Sequence, residues 1–222
     1  MGILTSNDNT NNDLDMVFHF PTSKNALIIL TRNPELGKVK TRLAKTVGDK
    51  AALEIFKILI SNIVEVSEKV IADKYVFYSE NIQENDAWNE GVFRKKLQHG
   101  NDLGKRMKNA FDQLFMVGYQ NVVIVGSDIY ELTSQDIEDS FLSLETNDVV
   151  IGPAEDGGYY LLGMKKMKKE VFENKNWGTN SVFEDTMDDL KNEKVYLLAV
   201  KNDVDVYDDI KGIDIFQQFI KD

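Results

Sequence analysis

The residues that most constrain the fold are Ala26, Leu27, Ile28, Ile29 and Leu30, an unbroken apolar run with a β-branched centre. The run is too short for a helix. A strand with no polar alternation is buried on both faces, the condition of an inner strand in a parallel sheet. Val122, Val123, Ile124 and Val125 repeat the pattern and stop abruptly at Gly126, Ser127 and Asp128. Shorter strand patterns lie at residues 75–78, 148–151, 159–164 and 195–200. Between them, apolar positions recur every three or four residues. Ala52, Ile55, Phe56, Leu59, Ile60, Ile63 and Val66 mark one helix, and Met107, Ala110, Phe111, Leu114 and Phe115 mark another over residues 103–117. Thr133 with Asp136 reads as a helix start for a segment running to Leu144. Further helices are expected from Thr179 to about Asn192 and over residues 207–220. Alternation of this kind predicts an α/β fold, a doubly wound sheet flanked by helices, with ligands at the carboxyl ends of the strands.

The chain has 222 residues, enough for one sizeable α/β core. The expected division is a polar, flexible N-terminal tail over residues 1–24 and one domain over residues 25–222. There is no cysteine, which excludes disulfides, thiolate metal sites and cysteine nucleophiles. No apolar run reaches the ~20 residues of a membrane span, and the polar start lacks the character of a secretory signal. A cytoplasmic location is the expectation.

A formal net charge of −11 argues against a nucleic-acid surface. Against that background the loop after the first strand stands out. Arg32, Lys38, Lys40, Arg42 and Lys45 face a single acid, Glu35, with Pro34 and Gly37 shaping the backbone. A cationic loop leaving a strand end is suited to phosphates, and Arg42 is able to grip them bidentately. It is not a Walker A loop, because Gly37 and Lys38 are followed by Val39 and the upstream glycine is missing. A solvated basic loop is the plainer alternative.

Asp128 ends the second apolar strand, where a carboxylate can hold Mg2+ or Mn2+ against phosphates; a local turn hydrogen bond would also account for it. Glu155 and Asp156 precede Gly157 and Gly158 between two strand patterns. These acids can bind sugar hydroxyls or act as a base on an acceptor, and the same residues also suit a simple hairpin turn. Asp205, after the last strand, is a candidate second metal ligand, or with Asp208 and Asp209 a first-turn helix acid. The glycine-punctuated turn with Asp102, Gly104 and Arg106 can line a base or ribose pocket. Trp177 beside Gly178 and Thr179 can stack an acceptor or simply pack.

Together these segments resemble a known family, the glycosyltransferase-A-like "transferase 1, rSAM/selenodomain-associated" group of arsenosugar-biosynthesis glycosyltransferases. Its relatives are the phospholactate guanylyltransferases and the molybdenum-cofactor nucleotidyltransferases. The resemblance runs from about Ala26 to the end. It is carried by Asn33 and Pro34, by Gly37 through Leu43, by Asp102 through Met107, and by Gly126, Ser127 and Asp128. It continues through Gly152 to Tyr160, through Trp177, Gly178 and Thr179, and through Asp203, Val204, Asp205 and Asp209. The chain departs from the family at Ser127, Ile129 and Tyr130, where Thr and then Cys-Pro are common.

The resemblance implies a mostly parallel nucleotide-diphospho-sugar transferase fold that uses Mg2+ or Mn2+. The basic loop, Arg32, Lys38, Lys40 and Arg42, would contact phosphates, and Asp128 and Asp205 would hold the metal. Asp102, Gly104 and Arg106 would face the nucleotide. Glu155, Asp156, Gly157, Gly158, Trp177 and Thr179 would face the sugar or acceptor. The implied activity is glycosyl transfer from a nucleotide-sugar donor to an unknown small-molecule acceptor. Nucleotidyl transfer from a nucleoside triphosphate with release of pyrophosphate is the alternative, and a non-catalytic nucleotide-sugar sensor the third reading.

Overall fold

A computed structural model describes residues 20–220, so most of the expected tail lies outside the described residues. Seven strands form one sheet in the order β3-β2-β1-β4-β6-β5-β7. They are β1 (Asn25–Thr31), β2 (Asp73–Tyr78), β3 (Phe93–Leu97), β4 (Asn121–Gly126), β5 (Val149–Pro153), β6 (Tyr159–Met164) and β7 (Val195–Leu197). β1 pairs in parallel with β2 and β4, β2 with β3, and β5 with β7. β6 alone is antiparallel, to both β4 and β5. Two reversals restore direction, so β5 and β7 run the same way as β1 and β4. The carboxyl ends of six strands and the β5–β6 turn therefore share one edge.

The apolar run of β1 is split by the pleat. Leu27 and Ile29 enter a core with Phe56, Ile60, Ile63, Val76, Val123, Val125, Ile137 and Phe141. Ala26 and Ile28 enter the opposite core with Phe77, Met107, Phe111, Leu114, Ile124 and Phe172. α2 (Asp49–Glu68) and α4 (Ser134–Ser143) cover the first face, and α3 (Leu103–Val117) covers the second. A third cluster joins Leu43 of α1 (Thr41–Val47) to Ile55 and Leu59 of α2 and to Val204, Ile210 and Phe216 near the C-terminus. No helix among the described residues is long and apolar enough to cross a membrane.

Five local features depart from these expectations. Phe93–Leu97 is a strand although it reads Phe, Arg, Lys, Lys, Leu, because an edge strand buries little and tolerates charge. The connection of residues 31–48 contains helix α1. The helix expected from Thr179 is α5 (Val182–Asp189), starting after Gly178, whose φ of +81° ends the preceding turn. The closing helix divides into α6 (Tyr207–Ile210) and a 3-10 turn over Asp214–Phe219, with Gly212 between them. The last strand is also shorter than expected, ending at Leu197, with an isolated bridge from Lys201 to Ala154.

At the opposite edge, the buried Asp73 carboxylate accepts the N–H and hydroxyl of Thr22 and the Tyr119 hydroxyl, and it pairs with Arg94 at 3.2 Å. Burial alone would raise its pKa. The hydrogen bonds and the Arg94 charge outweigh burial and hold it below the ordinary 3.8. A carboxyl depressed in the folded state stabilises the fold above its unfolded pKa, and that contribution is lost as pH falls through the folded value. Asp73→Asn is expected to cost about 2 kcal/mol in urea unfolding at pH 7 and to flatten the loss of stability below about pH 4. A wild-type acid limb in the variant would show that Asp73 does not carry this linkage.

Candidate active site

The loop after β1 is fixed before any charge is considered. Val39 and Leu43 are buried. Burying a side chain of this size contributes about 2 kcal/mol, more than the ~0–1 kcal/mol of an exposed ion pair. Apolar anchoring therefore sets where the loop lies, and the ion pairs set where its charged ends point. Asn33 pins the loop's start: its amide donates to the Asn81 carbonyl at 2.8 Å and its Oδ1 accepts the Glu80 N–H at 3.0 Å. Gln98 ties β1 to β2 by donating to the carbonyls of Thr31 and Phe77. In the sequence Asn33 stands out only as part of the family resemblance, and Gln98 only as the start of the glycine-punctuated turn able to line a base or ribose pocket. These ties between strand ends are not legible there.

Lys40 sits in the left-handed region, at φ 47° and ψ 44°, just before α1. Its Nζ donates to Asp128 Oδ2 at 2.8 Å, and its side chain is only 5% exposed. Arg42 Nη1 donates to Asp205 Oδ2, also at 2.8 Å, on the open surface. Two of the loop's predicted phosphate contacts thus meet both predicted metal ligands. Lys38 instead turns outward to Glu35. Arg32 is exposed; its charge is felt at Asp128, and it lines a cavity of about 260 Å3 with Pro34, Tyr78, Gln83 and Trp88. Burial would raise the Asp128 pKa, but the charge and hydrogen bond of Lys40, with Arg32, hold it below its ordinary value, so it is a carboxylate.

The C-terminal acids reach Asp128 through the backbone. The Val204 N–H donates to the Asp128 carbonyl at 3.0 Å, and the Val204 side chain is buried in the third cluster. Asp203, on one side of it, has its pKa pushed up to about 6 by burial and by the charges of Asp156 and Asp128. Sequence reasoning passed over Asp203 in favour of Asp205, because nothing in the pattern says which acid faces inward. Asp209 is a structural acid: its Oδ2 accepts the N–H groups of Asp205 and Val206.

Asp156 shares that acidic field. Its Oδ1 accepts the Gly158 N–H at 2.8 Å, while Glu155 is exposed beside it. Gly157 has φ +87°, and a Cβ there would lie 2.3 Å from the Asn180 carbonyl oxygen. The Phe183 N–H donates to the Gly157 carbonyl, so this turn is locked to the start of α5.

Asp102, Gly104 and Arg106 are mainly engaged within their own turn. Asp102 caps α3 by accepting the Lys105 N–H, and Arg106 donates to the Gly100 carbonyl. A Cβ on Gly104 would meet the Trp177 ring at 2.6 Å, and Trp177 meets Tyr159 edge to face. The turn and Trp177, read separately in the sequence, form one packed unit. Thr179 closes its own turn by donating to the Asn176 carbonyl.

Among the described residues no group of three or more acidic or histidine side chains could hold a metal ion. A divalent cation would take at most two carboxylates here, with phosphate oxygens and water completing its shell, the usual pattern for Mg2+. The crowded negative charge of Asp128, Asp156 and Asp203 suits such an ion.

Comparison with solved structures agrees with this architecture. A candidate nucleotide-diphospho-sugar transferase from Desulfovibrio desulfuricans G20 is 28% identical, with a TM-score of 0.78 over 90% of this chain and 100% of that one. CMP:2-keto-3-deoxy-manno-octonic acid synthetase complexed with CTP shares the fold at 12% identity, with a TM-score of 0.54, over 89% of this chain and 100% of that one. Rv0371c from Mycobacterium tuberculosis H37Rv, in complex with manganese, does so at 12% identity and a TM-score of 0.52, over 84% of this chain and 96% of that one. No curated protein sequence matches. The profile of a family described as "Uncharacterized protein conserved in bacteria" matches residues 62–179, from α2 through β4 and Asp128 to Thr179. Spanning more than half of its length, that match makes the chain a member of this family, DUF2064, built on a nucleotide-diphospho-sugar transferase fold.

Proposed function

We propose that the protein is a metal-dependent glycosyltransferase that uses a nucleotide-diphospho-sugar donor, of the rSAM/selenodomain-associated type, and acts in the cytoplasm. The transferase domain is residues 25–222, preceded by Thr22, which is tied to Asp73. The observation that carries the reading is the meeting of the basic loop with Asp128 at the carboxyl edge of the sheet. Arg32, Lys38, Lys40 and Arg42 grip the diphosphate, and Asp128 and Asp205 hold Mg2+ or Mn2+, with Asp203 in the same acidic mouth. A bound divalent cation neutralises phosphate charge and stabilises the leaving diphosphate. Asp102, Gly104 and Arg106 face the nucleotide. Trp177, Thr179, Gly157 and Gly158 border the sugar and acceptor. Glu155 binds a hydroxyl there, and Asp156 is the base. Its Oδ1 is held by Gly158 N–H, which orients the carboxylate and leaves Oδ2 to accept the proton of the acceptor hydroxyl. The acceptor oxygen bonds to the anomeric carbon as the bond to the donor phosphate breaks, releasing a nucleoside diphosphate.

A second reading, nucleotidyl transfer, is supported by the fold likeness to the synthetase complexed with CTP. In that reaction a phosphorylated acceptor would attack the α-phosphate of a nucleoside triphosphate and pyrophosphate would leave. The basic loop serves either reaction, since its charge does not count phosphates.

Incubation with Mg2+ and a panel of nucleotide sugars and nucleoside triphosphates separates the two. Nucleoside diphosphate release is the expected result; pyrophosphate release would favour the second reading, and turnover of neither would count against both. Asp128→Ala is expected to abolish metal-dependent nucleotide binding, and survival of that binding would remove Asp128 from the metal site. In calorimetry Arg42→Ala should weaken phosphate-bearing ligands by about 1.5–3 kcal/mol, the value of a charged hydrogen bond. An unchanged affinity would return Arg42 to the solvated surface.

A further inference from the structure

Two cations of the basic loop rest on the two carboxylates assigned above to the metal. Lys40 and Asp128 are 88 residues apart in sequence and Arg42 and Asp205 are 163 apart, so neither pair is a by-product of local helix geometry. The first pair is also built rather than incidental. Lys40 is held at φ 47°, a conformation uncommon for a residue with a side chain, by the buried Val39 before it and the buried Leu43 after it. Asp128 is held from the other side by the Val204 N–H on its carbonyl.

An ammonium on Asp128 Oδ2 and a divalent cation on the same carboxylate repel each other. A metal arriving alone would leave the enclosed Lys40 ammonium without its anion, and stranding an enclosed charge is unfavourable. A phosphate arriving alone and drawing Lys40 away would leave the Asp128 carboxylate without the ammonium that pairs with it. When both arrive, every charge regains a partner: metal on Asp128, phosphate on Lys40. Arg42 and Asp205 permit the same exchange.

We propose that Lys40 is a positioning residue that makes metal and diphosphate bind as one unit, through exchange of the Lys40–Asp128 pair. The inference rests on the reading of this edge as a phosphate-and-metal site. By linkage, each ligand then raises the other's affinity by the same factor.

Mn2+ binding to the full chain, followed by electron paramagnetic resonance alone and with pyrophosphate as a base-free diphosphate probe, tests this. In the wild type each ligand is expected to strengthen the other about tenfold or more beyond their association in free solution. Lys40→Met should bind Mn2+ alone about fivefold more tightly, bind pyrophosphate alone more weakly, and lose most of the coupling. Lys40→Gln is the second neutral variant should Lys40→Met not fold, and Lys40→Arg should keep the coupling. Lys166→Met, which removes an exposed cation just beyond β6 at the opposite edge of the sheet, should change neither Mn2+ affinity nor coupling. Mn2+ affinity and coupling unchanged in both neutral Lys40 variants would overturn the exchange, as would a Lys166→Met effect as large as theirs. If the wild type binds Mn2+ with pyrophosphate and Asp128→Asn abolishes it, such a result defeats the exchange alone. If the folded wild type binds no Mn2+ with pyrophosphate, the site reading itself falls.

Discussion

Strand direction is the constraint on which the rest of this molecule depends. Six of the seven strands run one way, and β6 is the sole reversal. Loops distant in sequence are thereby delivered to a common edge: the basic loop after β1, the glycine-rich turn after β3, Asp128 after β4, the β5–β6 turn, and the acids beyond β7. Burial on both faces keeps this arrangement rigid. Leu27 and Ile29 fill one core while Ala26 and Ile28 fill the other. A slip of one residue in β1 would exchange the two sets and misplace Arg32 and Lys40 with them.

Within that frame, a small apolar cluster rather than an ion pair brings the charged groups into register. Leu43, Ile55, Leu59, Val204, Ile210 and Phe216 fasten the helix after the basic loop to the segment that carries Asp203 and Asp205. The charges then settle locally, and in a chain with a net charge of −11 they settle in opposition. The candidate site is a cationic loop facing an acidic mouth, an arrangement whose charges balance one another and that would exchange partners with a ligand carrying both signs. A metal-bound diphosphate is such a ligand.

The strands buried on both faces, β1 and β4, and the long amphipathic helices were legible because burial leaves a strict periodic trace. β3 was not, since an edge strand with Phe93 as its only buried residue leaves none. α1 was hidden because its basic residues drew attention to charge, while Val39 and Leu43 did the anchoring. Among the site residues, the loop and Asp128 could be found from their places at strand ends. The choice between Asp203 and Asp205 could not, because two acids flanking Val204 differ only in which way the backbone turns after β7. The contact of Gly104 with Trp177 was likewise invisible, since it joins segments 73 residues apart through the absence of a side chain.

The proposed function requires the basic loop and Asp128 to form one phosphate-and-metal site. A crystal structure of the protein with Mn2+ and a nucleoside diphosphate, with the metal located by anomalous scattering, tests it most directly. A manganese peak on the Asp128 carboxylate is expected, with phosphate oxygens within hydrogen-bond distance of Lys40 and Arg42 and the Lys40–Asp128 pair opened. Manganese or nucleotide bound away from this edge, with that pair intact, would contradict it.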